Sequence, residues 1–238
     1  MLSYHRFLAL ASLGLTLGLT ACTPAATPAP TPTAATPTPP PVDTPPPSSS
    51  TAPATLEDSP VATFVLDQGG TQARFLIDEI LRGSPNTVTG TTSQVTGEIT
   101  IDLGSPGRTL LGPIQVEAGS LATDSSLRDR AIRNFILQTS AFPQIIFTPT
   151  SLEGLPTTAS VGGTFAFSIT GNLTVRDVTR PVTFEVTLTA ETGDRLTGLA
   201  STAILRSGYG LTIPSVPSVA DVSQEVGLEL EFTAVRAP

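Results

Sequence analysis

Apolar and polar residues alternate with a two-residue period along most of the chain after Val61, which is typical of strands that bury one face. The last such segment is the plainest, because Val226, Leu228, Leu230 and Phe232 alternate with polar residues and glutamates. Turn-forming Gly, Pro, Asn and Asp residues separate about eight of these segments. The pattern predicts one all-β domain, but the period alone does not choose between a sandwich and a closed barrel.

One stretch breaks the two-residue period. Its apolar residues follow helical spacing: Leu127, Ala131 and Phe135, with Ile132 and Ile136 beside them. Asp124 and Ser125 are good N-cap residues, and Pro143 ends the stretch before a strand predicted over 144–148. The pattern predicts a short amphipathic helical insertion around 124–137. Its apolar face needs a sheet to pack on, as that of a lid or plug does.

Two segments before this insertion show the strand pattern most directly. Residues 73–81 are predicted as a mostly apolar strand, followed by a loop over 82–86 with the sequence RGSPN. Residues 98–103 alternate cleanly and predict another strand, which turns at 105–107. Both connecting segments carry Gly and Pro, which interrupt strand structure.

The first 22 residues have the organisation of an export signal. A short basic region with Arg6 precedes an apolar run over 7–19, which is too short to span a bilayer comfortably. The run ends in Leu-Thr-Ala-Cys, which resembles a bacterial lipobox and implies thioether lipidation of Cys22 with cleavage before it. An uncleaved anchor with a buried thiol is the alternative. We expect an exported, membrane-anchored lipoprotein in the periplasm or at the cell surface.

Residues 23–60 have the composition of a linker. Thirteen of these 38 residues are Pro, and most of the others are Thr, Ala and Ser. Such a segment buries too little apolar surface to fold and behaves as a semi-rigid tether. The predicted domain organisation is therefore a signal peptide over 1–22, a disordered linker over 23–60 and a folded domain over 61–238.

The composition removes several functional classes. A net charge of −8 argues against a nucleic-acid partner, which would need a basic face. The chain has no lysine, and its single histidine, methionine and cysteine are His5, Met1 and Cys22. Imidazole, amine and thiol groups are thus absent beyond Cys22, so we predict no catalytic residue, no metal and no cofactor. Acidic pairs such as Asp78 and Glu79 leave a carboxylate hydrolase as a further alternative.

Four segments, taken in order, resemble the signature of the YceI-like family over roughly 61–235. They are Thr123 with Leu127-Arg128-Asp129, Phe135, Phe142-Pro143 and Ile145-Ile146-Phe147; Gly171 to Val175 running into Val178 to Val182; Leu205 to Gly210; and Val226 to Phe232. The turn at Asp177 departs from the glycine usual in the family, although Asp also tolerates turn geometry.

The resemblance implies a single eight-stranded antiparallel lipocalin-like barrel over 61–238. It also implies a long polyisoprenoid or fatty-amide-like lipid bound inside that barrel. A barrel of about eight strands is just wide enough to be filled by side chains or to hold one slender ligand. The sequence leaves both states open.

The candidate site residues fall into two sets. Those expected to line a cavity are Ile99, Ile101, Phe147, Phe165, Phe167, Phe184, Val186, Leu230 and Phe232. Candidates for binding a ligand head group are Arg128, Arg206 and Tyr209. Packed core residues, a solvated helix face with an Asp129–Arg133 pair, and a structural tyrosine are the respective alternatives.

These expectations combine into a membrane-tethered protein that sequesters or transports a long apolar, polyisoprenoid-like lipid. Its partners would be that lipid and the membrane that holds Cys22. The alternative is a non-enzymatic surface interaction module with a side-chain-filled barrel.

Overall fold

The computed structural model describes residues 61–238. The predicted signal peptide, the predicted lipidation of Cys22 and the linker over 23–60 lie outside the described residues, so all three stay predictions. Within the described part of the chain, no helix is long and apolar enough to cross a membrane.

Residues 61–238 form thirteen strands in one antiparallel sheet. The strands are β1 Val61–Leu66, β2 Gln72–Leu81, β3 Ser84–Thr92, β4 Val95–Thr96, β5 Glu98–Asp102, β6 Leu110–Leu111, β7 Ile114–Glu117, β8 Gln144–Glu153, β9 Thr164–Val175, β10 Val178–Thr192, β11 Arg195–Leu205, β12 Val219–Ala220 and β13 Glu225–Arg236.

The order of pairing curls the sheet into a barrel. Neighbouring strands run β2–β13–β11–β10–β9–β8–β7–β4. Only Ser93 and Gln94 separate β4 from β3, and β3 pairs with β2. The pairing therefore returns to its starting strand, which leaves few exposed edges. With β3 and β4 counted as one bent strand, the ring has the eight strands that were predicted.

Four short strands are additional to this ring and account for the higher strand count. One of them, β12, pairs with β2, and the other three are β1, β5 and β6. The strand β1 pairs with the end of β13 and with β5, and β5 pairs with β6. They cover a small apolar cluster of Ala62, Phe64, Ile99, Leu196 and Ala234. The strand predicted over 98–103 corresponds to β5, and its alternation alone did not distinguish it from the strands of the ring.

The helical insertion is confirmed, but its buried face differs from the prediction. An α-helix, α1, covers Ser126–Ala131, and the Ser125 side chain accepts from the Arg128 backbone N–H as its N-cap. A π-helical turn, Ile132–Ile136, follows directly. Ile132 is buried, whereas Leu127 and Phe135 are 70% and 65% exposed. The side of the insertion that carries Leu127 and Phe135 therefore faces solvent, and Ile132 and Leu137 are its buried residues instead.

Two predicted boundaries also change. The loop predicted over 82–86 is a tight hairpin turn, because Ser84 pairs with Leu81 and starts β3. Gly83 has φ +86° and Arg82 has φ 51°, so this turn needs backbone conformations that glycine supplies without strain. The strand predicted over 144–148 continues to Glu153 through an irregularity between Pro149 and Ser151.

Residues 61–238 have their own apolar core and a complete set of strand pairs, as an independent domain requires. The larger apolar cluster includes Phe147, Ile169, Leu173, Val186 and Phe232, all from strands of the ring. The strand pairs above close entirely within these residues. This segment is therefore expected to fold on its own.

Candidate functional site

The barrel encloses an elongated cavity of ≈ 990 Å³. That volume lies at the upper end of the range of small-molecule pockets. All nine residues predicted to line a cavity do so: Ile99, Ile101, Phe147, Phe165, Phe167, Phe184, Val186, Leu230 and Phe232. Whether they contact a ligand stays a prediction. The interior is hollow rather than filled by side chains, a point that periodicity alone left open.

The wall is apolar because strand alternation turns one side chain in two towards the interior. The rings of Phe147 and Phe184 meet edge to face with centroids 5.0 Å apart. Leu228 and Leu230 continue this lining on β13, while Glu231 points outward and pairs with Arg74. The lining along the barrel is therefore mostly hydrocarbon. Its charged exceptions on the wall are Arg74 and Glu229, whose Nε and Oε2 lie 3.6 Å apart.

Glycines on neighbouring strands let phenylalanine rings lie against this wall. Gly198 is the register partner of Phe232, and a Cβ at Gly198 would come within 2.5 Å of the Phe232 ring. Gly90 is paired with Phe75 in the same way, and a Cβ there would overlap the Phe75 ring. The two phenylalanine rings occupy the space that a side chain at each glycine would fill. They therefore line the cavity without filling its centre.

Charge in the cavity is concentrated at one end. We call it the helix-side end; it consists of the insertion over 125–137, the β2–β3 turn, the β9–β10 turn at 176–177 and the segment over 206–224. Hydrogen bonds join these pieces, from the Arg82 backbone N–H to Ser218 O and from Arg176 Nη1 to Ile136 O. The charged cavity residues at this end are Glu79, Arg82, Asp124, Arg128 and Arg206.

The opposite opening, which we call the far end, carries no charged lining residue among those described. It consists of the β8–β9 loop over 154–163, the β10–β11 turn and the start of β1. Leu103, Leu155 and Val161 line it together with Ser160 and Thr192. The two mouths of the cavity therefore differ in chemistry.

Arg128 joins the insertion to the barrel. Its Nη2 lies 3.4 Å from Glu79 Oε1, and its Nη1 donates to Asp124. Glu79 is buried and also accepts from Asn86 Nδ2 at 3.0 Å. The expected Asp129–Arg133 pair is not formed among the described residues, because Asp129 Oδ1 accepts from the backbone and hydroxyl of Thr123. Arg128 thus lines the cavity and also links α1 to β2 through its ion pair with Glu79.

Arg206 is a cation held without a carboxylate. Its Nε donates to Ser223 O at 2.9 Å, and its Nη1 and Nη2 donate to Leu211 O and Val222 O. No ion pair involves it within residues 61–238. It lines the cavity half-buried, so its positive charge is available to an anionic or strongly polar group at that mouth.

Tyr209 lies in the apolar core and is not among the cavity-lining residues. It is buried, and its hydroxyl has no hydrogen-bond partner in the described part of the chain. Burial raises the pKa of this phenol, and the positive charge of Arg180 opposes that rise. In this structure Tyr209 is placed as a core residue rather than beside the cavity.

Sequence reasoning missed several residues that shape the site. Glu79 was considered only as part of a possible acidic pair, yet it is the buried partner of Arg128. Phe75 and its opposite Gly90 escaped notice because only the register of β2 and β3 reveals their contact. Glycines in the middle of predicted strands were the available signal.

Comparison with known proteins supports the fold independently. The profile of the YceI-like domain matches residues 64–234. A UPF0312 protein of Pseudomonas fluorescens is 27% identical over 182 residues, covering 74% of this chain and 88% of the relative. Protein YceI of Salmonella newport is 30% identical over 181 residues, covering 74% and 87%.

Solved structures show the same architecture. BcnA of Burkholderia cenocepacia aligns with a TM-score of 0.56 at 17% identity, covering 71% of this chain and 99% of its own. A polyisoprenoid-binding domain from Saccharophagus degradans aligns with a TM-score of 0.60 at 13% identity, covering 74% and 99%. At these identities the likeness shows the fold alone.

Proposed function

Because the chain belongs to the YceI-like family and its barrel encloses an apolar cavity, we propose that it binds a long apolar, polyisoprenoid-like lipid there. The observation that supports this most directly is the hollow lumen of ≈ 990 Å³, which is mostly apolar along its wall and carries most of its charged lining residues at one mouth. The polyisoprenoid-binding domain of Saccharophagus degradans, which shares the fold, supports this choice of ligand class. The mechanism is sequestration of hydrocarbon from water rather than a reaction.

The driving force follows from the wall chemistry. Burying apolar surface stabilises a complex by about 25 cal/mol per Å², or about 0.8 kcal/mol for each methylene. Ordering a flexible chain and immobilising it offset part of this gain. A preformed cavity reduces the cost on the protein side, because the rings of Phe75 and Phe232 already lie against the wall.

The charged mouth gives the ligand a direction. Its hydrocarbon chain would lie along the lumen, and its polar head would lie at the helix-side end near Arg206 and Arg128. Arg206 is the better head-group partner, since Arg128 already pairs with Glu79 and Asp124. Tyr209, the third candidate, would act only by supporting the segment that carries Arg206.

Tethering belongs to the same proposal. The sequence of residues 1–22 supports export and lipidation at Cys22, and residues 23–60 support a spacer between membrane and barrel. Several acyl chains on one residue hold a protein firmly at a bilayer. The protein would then sequester or transport its lipid at a membrane, in the periplasm or at the cell surface.

The proposal includes no reaction, metal or cofactor. Among the described residues, no group of three or more His, Cys, Asp or Glu side chains is placed to hold a metal ion. Glu229 and Glu231, a second acidic pair on β13, both form ion pairs with Arg74. Both carboxylates are therefore engaged by one guanidinium group.

Native mass spectrometry of the protein purified from its own host tests the proposal, followed by solvent extraction and lipid analysis. We expect a stoichiometric added mass that extracts as an isoprenoid or another long-chain lipid. A clean apo mass that stays unchanged after incubation with prenyl lipids would contradict the proposal. Function would then have to be sought on the outer face of the barrel.

A further inference from the structure

The short helix α1 borders the helix-side mouth without burying a side chain of its own. None of its six residues is buried, although Leu127, Arg128 and Ala131 line the cavity. In proteins, most of the stability of a helix comes from an apolar face packed on a neighbour. The helix α1 therefore lacks the contact that ordinarily fixes a helix on a sheet.

The chain is anchored on either side of this helix. Before it, Thr91 of β3 and Ala122 exchange two backbone hydrogen bonds, of 2.9 and 3.0 Å. After it, Ile132 and Leu137 are buried, and the Leu137 N–H donates to Ile132 O at 2.8 Å across the π-helical turn. We call the segment between the two anchors, residues 123–131, the flap.

Hydrogen bonds hold the flap mainly to itself. Asp129 Oδ1 accepts from the backbone N–H and the hydroxyl of Thr123 at 2.8 and 2.7 Å. Asp124 accepts from Arg128 Nη1. Within the described part of the chain, one hydrogen bond runs from the flap to a strand of the barrel, and it joins Arg128 Nη2 to Glu79 Oε1 at 3.4 Å. This ion pair is therefore the polar contact that keeps the flap against β2.

Glu79 can lose this partner without being left alone. It lies on β2, is 7% exposed and lines the cavity. Its Oε1 also accepts from Nδ2 of Asn86, its register partner on β3, at 3.0 Å. A buried carboxylate without any hydrogen bond would be strongly unfavourable, but one that keeps Asn86 tolerates the departure of Arg128. The ion pair can therefore open and close while the barrel stays folded.

We propose that the flap opens the helix-side mouth and that the Arg128–Glu79 ion pair holds it closed. With the pair formed, two charged side chains line the route from solvent to the apolar lumen, which is unfavourable for a hydrocarbon chain. When the pair opens, the flap moves away from β2, and the chain enters past Leu81 and Val216, which line the same mouth. Lipid passage through this mouth rests on the proposed function, whereas the opening of the flap does not.

Amide hydrogen exchange detects the opening without any lipid. A helix of six residues is not stable by itself in water, so a released flap loses its helical hydrogen bonds and its amides exchange. Exchange is measured by mass spectrometry on delipidated residues 61–238. The variants are Glu79→Gln and Arg128→Met, which break the ion pair from either side. The matched control is Glu231→Gln, which breaks an ion pair with Arg74 outside the cavity lining.

We expect peptides from the flap to exchange about tenfold faster in Arg128→Met, because a hydrogen bond between charged groups is lost. The increase should be smaller in Glu79→Gln, whose amide oxygen still accepts a neutral hydrogen bond. The variant with both substitutions should exchange no faster than Arg128→Met, because both remove one contact. Peptides from β9 and β10 should exchange as in the parent chain, and Glu231→Gln should leave both sets of peptides unchanged.

Unchanged exchange of the flap in both variants would overturn the proposal, because the ion pair would then not hold it. Faster exchange spread equally over the flap, β9 and β10 would overturn it as well, since the whole barrel would then be destabilised. Arg128 is only partly buried, so Arg128→Met keeps the test available if Glu79→Gln does not fold.

Stopped-flow binding of cis-parinaric acid, a fatty acid whose polyene chain fluoresces in apolar surroundings, tests lipid passage separately. In Glu79→Gln, which keeps the arginines of the mouth, the association and dissociation rates should rise together by the factor seen in amide exchange, while Kd changes little. Rates equal to those of the parent chain, in a flap that exchanges faster, would overturn its role as the entrance. A faster-exchanging flap in a barrel that takes up neither this probe nor a prenyl lipid supports the opening and contradicts the lipid-binding proposal.

Discussion

The wall of the cavity and its helix-side end differ in what positions their side chains. Along the wall, Val186 and Phe232 are buried by strand alternation, and hydrocarbon faces hydrocarbon. At the helix-side end, Arg206 and Glu79 line the same cavity, and their positions depend on specific hydrogen bonds. On the proposed function, the wall would accept any long apolar chain and the helix-side end would discriminate among head groups. Affinity and selectivity would then be located in separate parts of the barrel.

The largest effect on stability and lipid binding should come from placing a charge on the apolar wall. Val186→Asp places a carboxylate at a buried position of the lumen whose register partners are Phe167 and Ala200. We expect a loss of about 3–5 kcal/mol in unfolding free energy and no detectable lipid binding. Denaturant unfolding and lipid titration measure both.

Thr187→Asp is the matched control, because Thr187 is the next residue of β10 and points outward. It should leave both quantities close to those of the parent chain. If Val186→Asp binds lipid as well as Thr187→Asp does, the lumen is not the binding site.

A smaller effect on stability and lipid affinity should follow from displacing the Phe75 ring from the wall. Gly90→Ala places a Cβ where the Phe75 ring now lies, and no backbone atom is among its closest neighbours. The ring has to turn towards the lumen, at a cost typical of overpacking, about 1–3 kcal/mol. Lipid affinity should fall about tenfold or more as the cavity narrows.

Gly227→Ala provides the comparison for this substitution. A Cβ there would meet Leu76 at 3.6 Å, an ordinary contact. Loss of affinity in both variants alike would indicate a general effect of glycine replacement rather than ring displacement.

The smallest effect concerns Tyr209, the buried phenol beside the charged end. Its pKa is raised above the ordinary value of 10.0 by burial, so the folded state holds this proton more tightly than the unfolded state does. The stability that results is present below pH ~10 and is lost as pH rises through the folded-state pKa. Tyr209→Phe should remove that alkaline decline, which pH-dependent thermal unfolding would show. A parent chain whose tyrosinate forms at the ordinary pH in an absorbance titration would refute the account.

The wall was predictable from the sequence, and the helix-side end only in part. Alternation assigns Phe165 and Phe167 to the inner face without knowledge of their partners. The exposure of Leu127 and Phe135 was not predictable, because apolar spacing gives the period of a helix but does not say which of two neighbouring apolar stripes packs on the sheet. Tyr209 and Arg206 are close in sequence, yet only one lines the cavity. Loop geometry decides this, and strand periodicity carries no information about it.

The central claim is that hydrocarbon is buried along the lumen, and a chain-length series tests it most directly. Binding of unbranched alkyl amides that differ by single methylene groups is measured on residues 61–238 by competition with a fluorescent fatty probe. We predict a gain of about threefold to fourfold in affinity for each added methylene until the cavity is full, followed by a plateau. An affinity independent of chain length would contradict the account, because a ligand bound by its head group or on the outer face buries no additional hydrocarbon.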